Sequence, residues 1–130
     1  MIQFRLDTRS GVPTYLQLVQ QVRQAVRLGI LQPGDQLPTV KEVVGDLAIN
    51  PNTVLKAYRE LDREGLVASR RGVGTFVSTT LPPPPTDGVE ALRTALQRWV
   101  ERARAAGLDD ESIQALLAQT VRAPAVSRVA

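Results

Sequence analysis

One stretch in the middle of the chain carries polar and basic side chains at helical spacing. They are Asn52, Lys56, Arg59 and Arg63. Their spacing of i, i+4, i+7 and i+11 places them on one face of an α-helix. The major groove of DNA admits one α-helix, whose N-terminal side chains contact the bases. Asn52 and Thr53 stand at that end of the stretch. Asn52 can pair with an adenine edge, and Lys56 can reach guanine or phosphate.

This face has a second interpretation, in which it is a solvated surface with ion pairs to acids such as Glu60 and Glu64. Taken alone, the stretch supports DNA contact and a solvated surface about equally. A second basic cluster, Arg70-Arg71-Gly72-Val73-Gly74, shifts the balance towards DNA. Its glycines leave backbone N–H groups open to close approach, and its arginines suit a phosphate contact or insertion into the minor groove. The alternative for this cluster is an ordinary glycine turn with exposed arginines.

A third place where a phosphate could bind precedes both clusters. Thr39 is followed three residues later by Glu42, which is a capping box, so a helix begins there with Lys41 in its first turn. The N–H groups at such a helix start attract phosphate. Thr39 could cap the helix alone, or cap it and touch phosphate as well.

Composition excludes several other chemistries. The 130 residues contain no Cys and no His, so there is no disulfide, no Cys/His zinc site, no catalytic thiol and no imidazole base. We see no phosphate-binding glycine loop and no paired carboxylates in a pocket-like setting, so we expect neither an enzyme nor a cofactor. The apolar runs are too short to span a bilayer, and the N-terminus lacks a secretory signal. We therefore expect a cytoplasmic protein without membrane contact.

The excess positive charge lies in one part of the chain. The net charge is +3, and all of it belongs to residues 1–80, because residues 81–130 carry equal numbers of acids and bases. A basic lobe joined to a neutral one indicates a polyanionic partner for the first lobe only. A charge of +3 is also common by chance.

The pattern of apolar residues in the first lobe predicts three helices. The first opens near Pro13 and ends at Gly29, with an apolar stripe between them. The second runs from the capping box to about Leu47. The third begins at the N-cap Asn50, with Pro51 in the first helical position. The residues expected on the buried face of this third helix are Val54, Ala57, Tyr58 and Leu61.

Beyond Gly65 the hydrophobic period changes to two. Residues 66–69 and 75–78 therefore read as two strands of a hairpin, with the basic glycine cluster at its tip. A helix-turn-helix followed by such a hairpin is a winged helix-turn-helix, an α+β fold that we assign to residues 1–80.

Four consecutive prolines mark the boundary of the first lobe. Residues 81–88 favour a semi-rigid extended linker, although a proline-rich ligand for another protein is an alternative. Residues 89–122 predict two amphipathic helices, and residues 123–130 a tail without pattern. Two short helices cannot bury both stripes alone, so we expect dimerisation or, as the alternative, packing on the first lobe. The predicted dimer residues are Leu92, Leu96, Trp99, Val100, Ile113, Leu116 and Leu117.

At this point the residues resemble a known family. The segments LQPGDQLPTVKE (31–42), NTVLKAYREL (52–61), EGLV (64–67) and GVGTFV (72–77) are similar to the winged helix-turn-helix of GntR-type bacterial transcription regulators. The sequence around the start of the third helix and the short two-helix C-terminal part resemble the YtrA subfamily. The resemblance implies dimeric operator binding, usually in repression, with contacts from the second helix, the start of the third helix and the wing glycines.

The chain departs from the broader family pattern at three positions. Lys41 stands where the second helix usually has Arg, and an ammonium lacks the bidentate geometry of a guanidinium. Pro51 and Leu55 stand where the third helix commonly has Arg. Base contacts therefore cannot be carried over from the family wholesale.

The sequence thus predicts a dimeric, sequence-specific DNA-binding regulator, most often a repressor in this family, that acts on an inverted-repeat operator. The alternative is a winged-helix protein-interaction module, which would present an apolar or acidic third helix instead of a basic one. The large sensor domains of other family members exceed this length. Any small-molecule effector would need a site between the short helices or at the dimer interface.

Overall fold

The computed structural model describes residues 2–82 and 87–123. They form two compact units, an N-terminal unit before Pro83 and a C-terminal unit after Thr86. The predicted winged helix-turn-helix is confirmed. Pro83, Pro84 and Pro85 of the predicted linker, and the tail from residue 124, lie outside the described residues. The elements are α1 (Thr14–Arg27), α2 (Val40–Leu47), α3 (Pro51–Arg63), β1 (Val67–Arg70), β2 (Gly74–Val77), α4 (Val89–Ala105) and α5 (Asp110–Arg122).

The core of the N-terminal unit lies chiefly between α1 and α3. The stripe predicted on the first helix is buried together with the predicted buried face of α3. Residues from α2 and from both strands complete this core. The largest fully buried side chains are Leu18, Leu37, Leu61, Val19, Val22, Val43, Val54 and Val77. Burial of these aliphatic side chains stabilises the fold of the unit, which holds its surface residues in position.

Local hydrogen bonds fix the start of each helix of the helix-turn-helix. The Thr39 hydroxyl accepts from the Glu42 backbone N–H at 3.1 Å, and the Glu42 carboxylate accepts from the Thr39 N–H at 3.1 Å. The predicted capping box is therefore present. At α3, the Asn50 side chain accepts from the Asn52 N–H at 2.8 Å. Pro51 occupies the first turn, where a missing N–H costs nothing.

The turn between α2 and α3 contains strained backbone. Ala48 caps the C-terminus of α2 in the left-handed conformation, with φ 54°. A β-carbon disfavours that conformation, which glycine adopts readily. This turn sets the angle between the two helices, so the strain lies next to the residues that position α3.

The wing is a hairpin extended by a third segment. β1 and β2 pair antiparallel, with Val67 opposite Val77 and Arg70 opposite Gly74. The Leu37 N–H donates to the Thr75 carbonyl at 2.8 Å, and the Val77 N–H donates to the Asp35 carbonyl at 2.7 Å. Each strand begins and ends within one residue of its predicted range, 66–69 for β1 and 75–78 for β2.

Residues before α1 form an ordered segment that the sequence analysis did not predict. The Gln21 side chain accepts from the Arg5 N–H at 2.9 Å and donates to the Arg5 carbonyl. One turn earlier, the Gln17 side chain accepts from the Asp7 N–H at 2.8 Å and donates to the Asp7 carbonyl at 3.0 Å. Phe4 is buried in the core. Two glutamines therefore hold this segment along α1 as a neighbouring strand would.

The C-terminal unit is a helical hairpin. Gly107 has φ 98° in the turn, and the Asp109 carboxylate caps α5 by accepting from the Ser112 N–H at 2.7 Å. Among the described residues of this unit, Ile113 is the one buried hydrophobic residue, with 4% of its surface exposed. Leu92 and Val121, by contrast, are 71% and 84% exposed. In the described part of the chain, the predicted apolar stripes are therefore covered only in part.

Candidate nucleic-acid interface

The N-terminal turn of α3 presents polar side chains on the surface. Asn52 is exposed and Thr53 is half-buried. The Asn50 cap uses its side chain on the Asn52 backbone, and the Asn52 amide side chain makes no hydrogen bond to any described residue. The two donors and the acceptor of that amide are therefore available to an external partner. The start of α3 thus offers hydrogen-bonding groups of the kind that contact base edges.

Lys56, one turn further along α3, is exposed and lies over an aromatic ring from α1. Its ammonium nitrogen Nζ is 4.0 Å from the centroid of the Tyr15 ring. The negative face of a phenol ring attracts a cation at this distance. Lys56 forms no ion pair with a described residue, and Glu60, the acid one turn along the same helix, binds Arg63. Its positive charge is therefore held in place but not neutralised.

The C-terminal half of the basic face of α3 differs, because acids neutralise it. Arg63 forms an ion pair with Glu60, and that hydrogen bond lowers the pKa of the Glu60 carboxyl below its ordinary value. Arg23 of α1 forms an ion pair with Glu64, just beyond α3. Arg59 is exposed. The interpretation of this face as ion-paired surface thus applies to Arg63, whereas Lys56 and Arg59 form no ion pair with any residue that the structure describes.

A buried hydrogen bond joins α3 to the residues just before α2. The Tyr58 hydroxyl donates to the Pro38 carbonyl at 2.6 Å, within the buried core. Burial, and then the negative charge of Glu42, raise the pKa of the Tyr58 hydroxyl above its ordinary value. The hydroxyl therefore stays a donor across the physiological pH range. Thr39 uses its hydroxyl in the capping box, and Lys41 is exposed on the first turn.

Arg71 and Gly72 lie at the tip of the wing, and the residues on either side of them have partners within the unit. Arg70 belongs to β1, and its guanidinium lies 5.2 Å from the Phe76 ring centroid. Gly74 has φ 144°, and a β-carbon there would lie 2.6 Å from the Gln36 amide nitrogen. The backbone conformation is therefore the reason for glycine at this position, because the Gln36 amide stands at the end of a flexible side chain that can shift. Arg71 and Gly72 are exposed, with Gly72 at φ 76°.

Sequence reasoning missed three residues that position this surface. Tyr15, Phe76 and Gln36 each contact a residue at the candidate interface or beside it. Phe76 belongs to the strand opposite Arg70, so cross-strand pairing was an available signal. Tyr15 lies 41 positions before Lys56, and no local pattern connects the two.

The residues predicted for dimerisation all lie on the helical hairpin, but their exposure differs. Leu92, Leu96 and Leu116 are exposed, whereas Trp99, Val100 and Leu117 are half-buried. Ile113 is already buried within one chain, so it stabilises the hairpin and offers little surface to a second copy. An open apolar depression lies between the two helices of this unit. Its lining residues are Trp99, Arg102, Ala103, Leu108 and Leu116.

The described residues offer neither a candidate metal site nor a membrane-spanning helix. Within residues 2–82 and 87–123 there is no cluster of acids that could hold a metal ion. No helix in the same ranges is long and apolar enough to cross a bilayer. The surface built by α3, α2 and the wing thus offers cations, amide groups and backbone N–H groups, which suit binding to a polyanion.

This fold and surface define a winged helix-turn-helix regulator. Residues 14–77 match the family described as "Bacterial regulatory proteins, gntR family", and the chain belongs to this family. It is therefore a transcriptional regulator and not an enzyme, as the sequence predicted.

Within the family the chain is similar to YtrA. It is 39% identical to the HTH-type transcriptional repressor YtrA of Bacillus subtilis over 87% of this chain and 86% of that protein. It is 43% identical to the HTH-type transcriptional regulator Rv1152 of Mycobacterium tuberculosis over 80% of this chain and 82% of that protein. The predicted YtrA-type resemblance is confirmed.

Solved structures agree with this assignment. A transcriptional antiterminator from Listeria monocytogenes EGD-e matches with a TM-score of 0.60 and 30% identity, over 93% of this chain and 91% of that one. YtrA from Sulfolobus acidocaldarius, a GntR-family transcription factor, matches with a TM-score of 0.55 and 28% identity, over 91% and 96% of the two chains. The AraR DNA-binding domain in complex with operator ORE1 matches with a TM-score of 0.50 and 28% identity, over 60% and 95%.

Proposed function

We propose that this regulator is a homodimeric repressor that binds an inverted-repeat operator through α3, the start of α2 and the wing. The observation that carries the proposal is the exposed end of α3, where the Asn52 amide makes no hydrogen bond, and the Lys56 ammonium no ion pair, with any described residue. The operator complex of the AraR domain supports the same mode of binding here. A bacterial regulator of this kind acts on chromosomal DNA in the cytoplasm.

The proposed contacts divide into two kinds. Asn52, Thr53 and Lys56 meet base edges in the major groove, because they lie in the first two turns of α3. Lys41 and the wing tip, Arg71 and Gly72, meet phosphate or the minor groove. The remaining predicted contact residues shape this surface by capping, stacking or turning the chain. They are Thr39, Arg70 and Gly74.

The dimer is proposed to form through α4 and α5. Leu92 and Leu96 are exposed along one helix, and burial against a second copy would remove their apolar surface from water. Trp99, beside them, would anchor the interface. A two-fold dimer of this kind presents two copies of α3 about 34 Å apart, in successive major grooves. The operator would then be an inverted repeat.

Repression would follow from occupancy of a promoter by the dimer, and the name of the B. subtilis YtrA repressor supports that sign of regulation. The test is a reporter gene behind the operator. Expression should fall when the regulator is present and recover when Asn52→Ala and Lys56→Gln are combined. Increased expression with the unaltered regulator would make it an activator. A small-molecule effector, if the protein has one, is not identified by any of these residues.

Selection of bound duplexes from a random pool tests the mode of binding. The expected result is a palindromic sequence with half-sites one helical turn apart, together with a steep fall in affinity as salt rises. Selection of a single, non-repeated site would refute the dimer. If no sequence is enriched, the DNA-binding proposal fails in favour of a protein-interaction module.

Single substitutions then separate the two kinds of contact. Lys56→Gln should change the base preference at one position of each half-site, whereas Arg71→Gln should weaken binding to all sequences about equally. Arg104→Gln is the matched control, because it removes the same charge from a side chain of the C-terminal unit that is paired with Asp110. Equal effects of all three substitutions would mean that the assigned roles are wrong.

A further inference from the structure

A side chain of α1 lies beside a proposed DNA-contacting residue without belonging to the helix-turn-helix. Tyr15 is half-buried and packs on the core, so its position is fixed relative to α3. Its ring lies 4.0 Å from the Lys56 ammonium. The two residues are 41 positions apart in the sequence, and the packing of α1 against α3 brings them together.

The frame that joins these two helices is rigid on both sides of the contact. Leu18 and Val22 of α1 are fully buried in the same core as Val54 and Leu61 of α3. The ion pair of Arg23 with Glu64 joins α1 to the far end of α3. The Tyr15 ring is thus a fixed surface on which a mobile lysine side chain can rest.

From this contact we infer that Tyr15 is a positioning residue for operator recognition, which acts by holding the Lys56 ammonium ready for DNA. The inference rests on the proposed function of Lys56. An unrestrained lysine samples many rotamers and loses that freedom when it binds, and a ring that orders the side chain beforehand reduces the loss. Only one side of the ammonium meets the ring, so it can keep this contact while it donates to DNA.

The contact also has no competitor on its own helix. Glu60, one turn beyond Lys56, is the acid that would otherwise attract the ammonium, and it is bound to Arg63. An ion pair with Glu60 would reduce the net positive charge that Lys56 offers to DNA, whereas a neutral ring orders the side chain without neutralising it. An aromatic partner therefore suits a cation that has to remain available.

Substitutions that separate the ring from the hydroxyl test this inference on the full-length protein and its selected operator. Tyr15→Leu should weaken operator binding about 5-fold to 30-fold, because the dimer loses two exposed cation–π contacts, one in each half-site. Tyr15→Phe keeps the ring and should bind like the unaltered protein. An equal loss in Tyr15→Phe and Tyr15→Leu would overturn the inference, because the hydroxyl would then be the group that matters.

Two further readouts distinguish positioning from general damage to the fold. The slope of log affinity against log salt should be the same for Tyr15→Leu and the unaltered protein, because the cations that meet phosphate are unchanged. In the Lys56→Gln background, Tyr15→Leu should have no further effect, since the side chain that it positions is gone. Additive losses, or a smaller salt slope, would overturn the inference.

The controls make each failure interpretable. Thermal unfolding of every variant checks the fold, and Tyr15→Met provides a second ring-free variant if Tyr15→Leu is unstable. If Lys56→Gln leaves affinity for the selected operator and its sequence preference unchanged, the proposed function of Lys56 is wrong. If Lys56→Gln weakens binding and both ring-free variants do not, the positioning role of Tyr15 alone is wrong.

Discussion

The two units of this chain solve the problem of apolar burial in different ways. The N-terminal unit buries side chains from three helices and two strands in one core. The described part of the C-terminal unit buries Ile113 and leaves Leu92, Leu96 and Leu116 exposed. The second unit therefore leaves more apolar surface in contact with water than the first unit does. This difference fits the proposal that the first unit binds DNA and the second forms the dimer.

The largest effect should come from charges placed on the exposed stripe. Leu92→Glu combined with Leu96→Glu should convert the dimer to monomer and lower affinity for a two-half-site operator by about 100-fold or more, because bivalent binding is lost. Analytical ultracentrifugation and operator titration measure the two effects. Gln97→Glu, an exposed polar position on α4, is the control. A dimer that survives the double substitution would move the interface away from α4.

Truncation of a leucine in each unit compares the energetic value of buried and exposed apolar side chains. Leu61→Ala, at a fully buried site on α3, should lower the free energy of unfolding of the N-terminal unit by about 2–5 kcal/mol. Leu116→Ala, at an exposed site, should cost under about 1 kcal/mol when measured in the monomeric double variant. Urea unfolding gives both values. Equal costs would contradict the difference in burial between the units.

A smaller effect of opposite sign is expected at the turn between α2 and α3. Ala48→Gly should stabilise the N-terminal unit by about 0.5–1 kcal/mol, because glycine adopts the observed φ of 54° without a β-carbon clash. Gly45→Ala, inside α2, is an instructive counterpart, since helix propensity also favours that change. A loss of stability in Ala48→Gly would mean that the turn is not strained.

The smallest effect should be a pH dependence of the cap at the start of α5. Hydrogen bonds from Ser112, side chain first and then backbone, lower the pKa of the Asp109 carboxyl. The cap therefore stabilises α5 above the ordinary pKa of aspartate, and this contribution disappears as pH falls through the lowered value. Amide exchange at the start of α5 below about pH 4 measures it. Asp109→Asn, which caps without titrating, should remove this pH dependence; its persistence would assign the effect elsewhere.

Much of the fold could be predicted because its signals are local. The capping box at Thr39 and the Asn50–Pro51 start of α3 depend on neighbouring residues alone, and both are present as predicted. The N-terminal segment was missed although Ile2, Phe4 and Leu6 alternate with polar residues as a strand would. Its partner is a helix, which strand patterns do not anticipate.

The candidate site could be predicted only in part, because its geometry depends on contacts distant in sequence. The spacing along α3 identified the basic face, but it could not distinguish Arg63, which is neutralised by Glu60, from Lys56, which rests on Tyr15. The same limit applies to the C-terminal unit. The stripe that contains Ile113 is visible in the sequence, but which of its members are already covered within one chain depends on the packing of α5.

The paired glutamines of α1 bear on how the DNA-binding experiments can be interpreted. Gln17 and Gln21 hold the N-terminal segment through uncharged amides bound to backbone groups. Amides neither titrate nor form ion pairs that salt would screen. Raising the ionic strength should therefore leave this attachment intact, and a salt-dependent loss of operator affinity would report on the charged surface and not on release of the N-terminal segment.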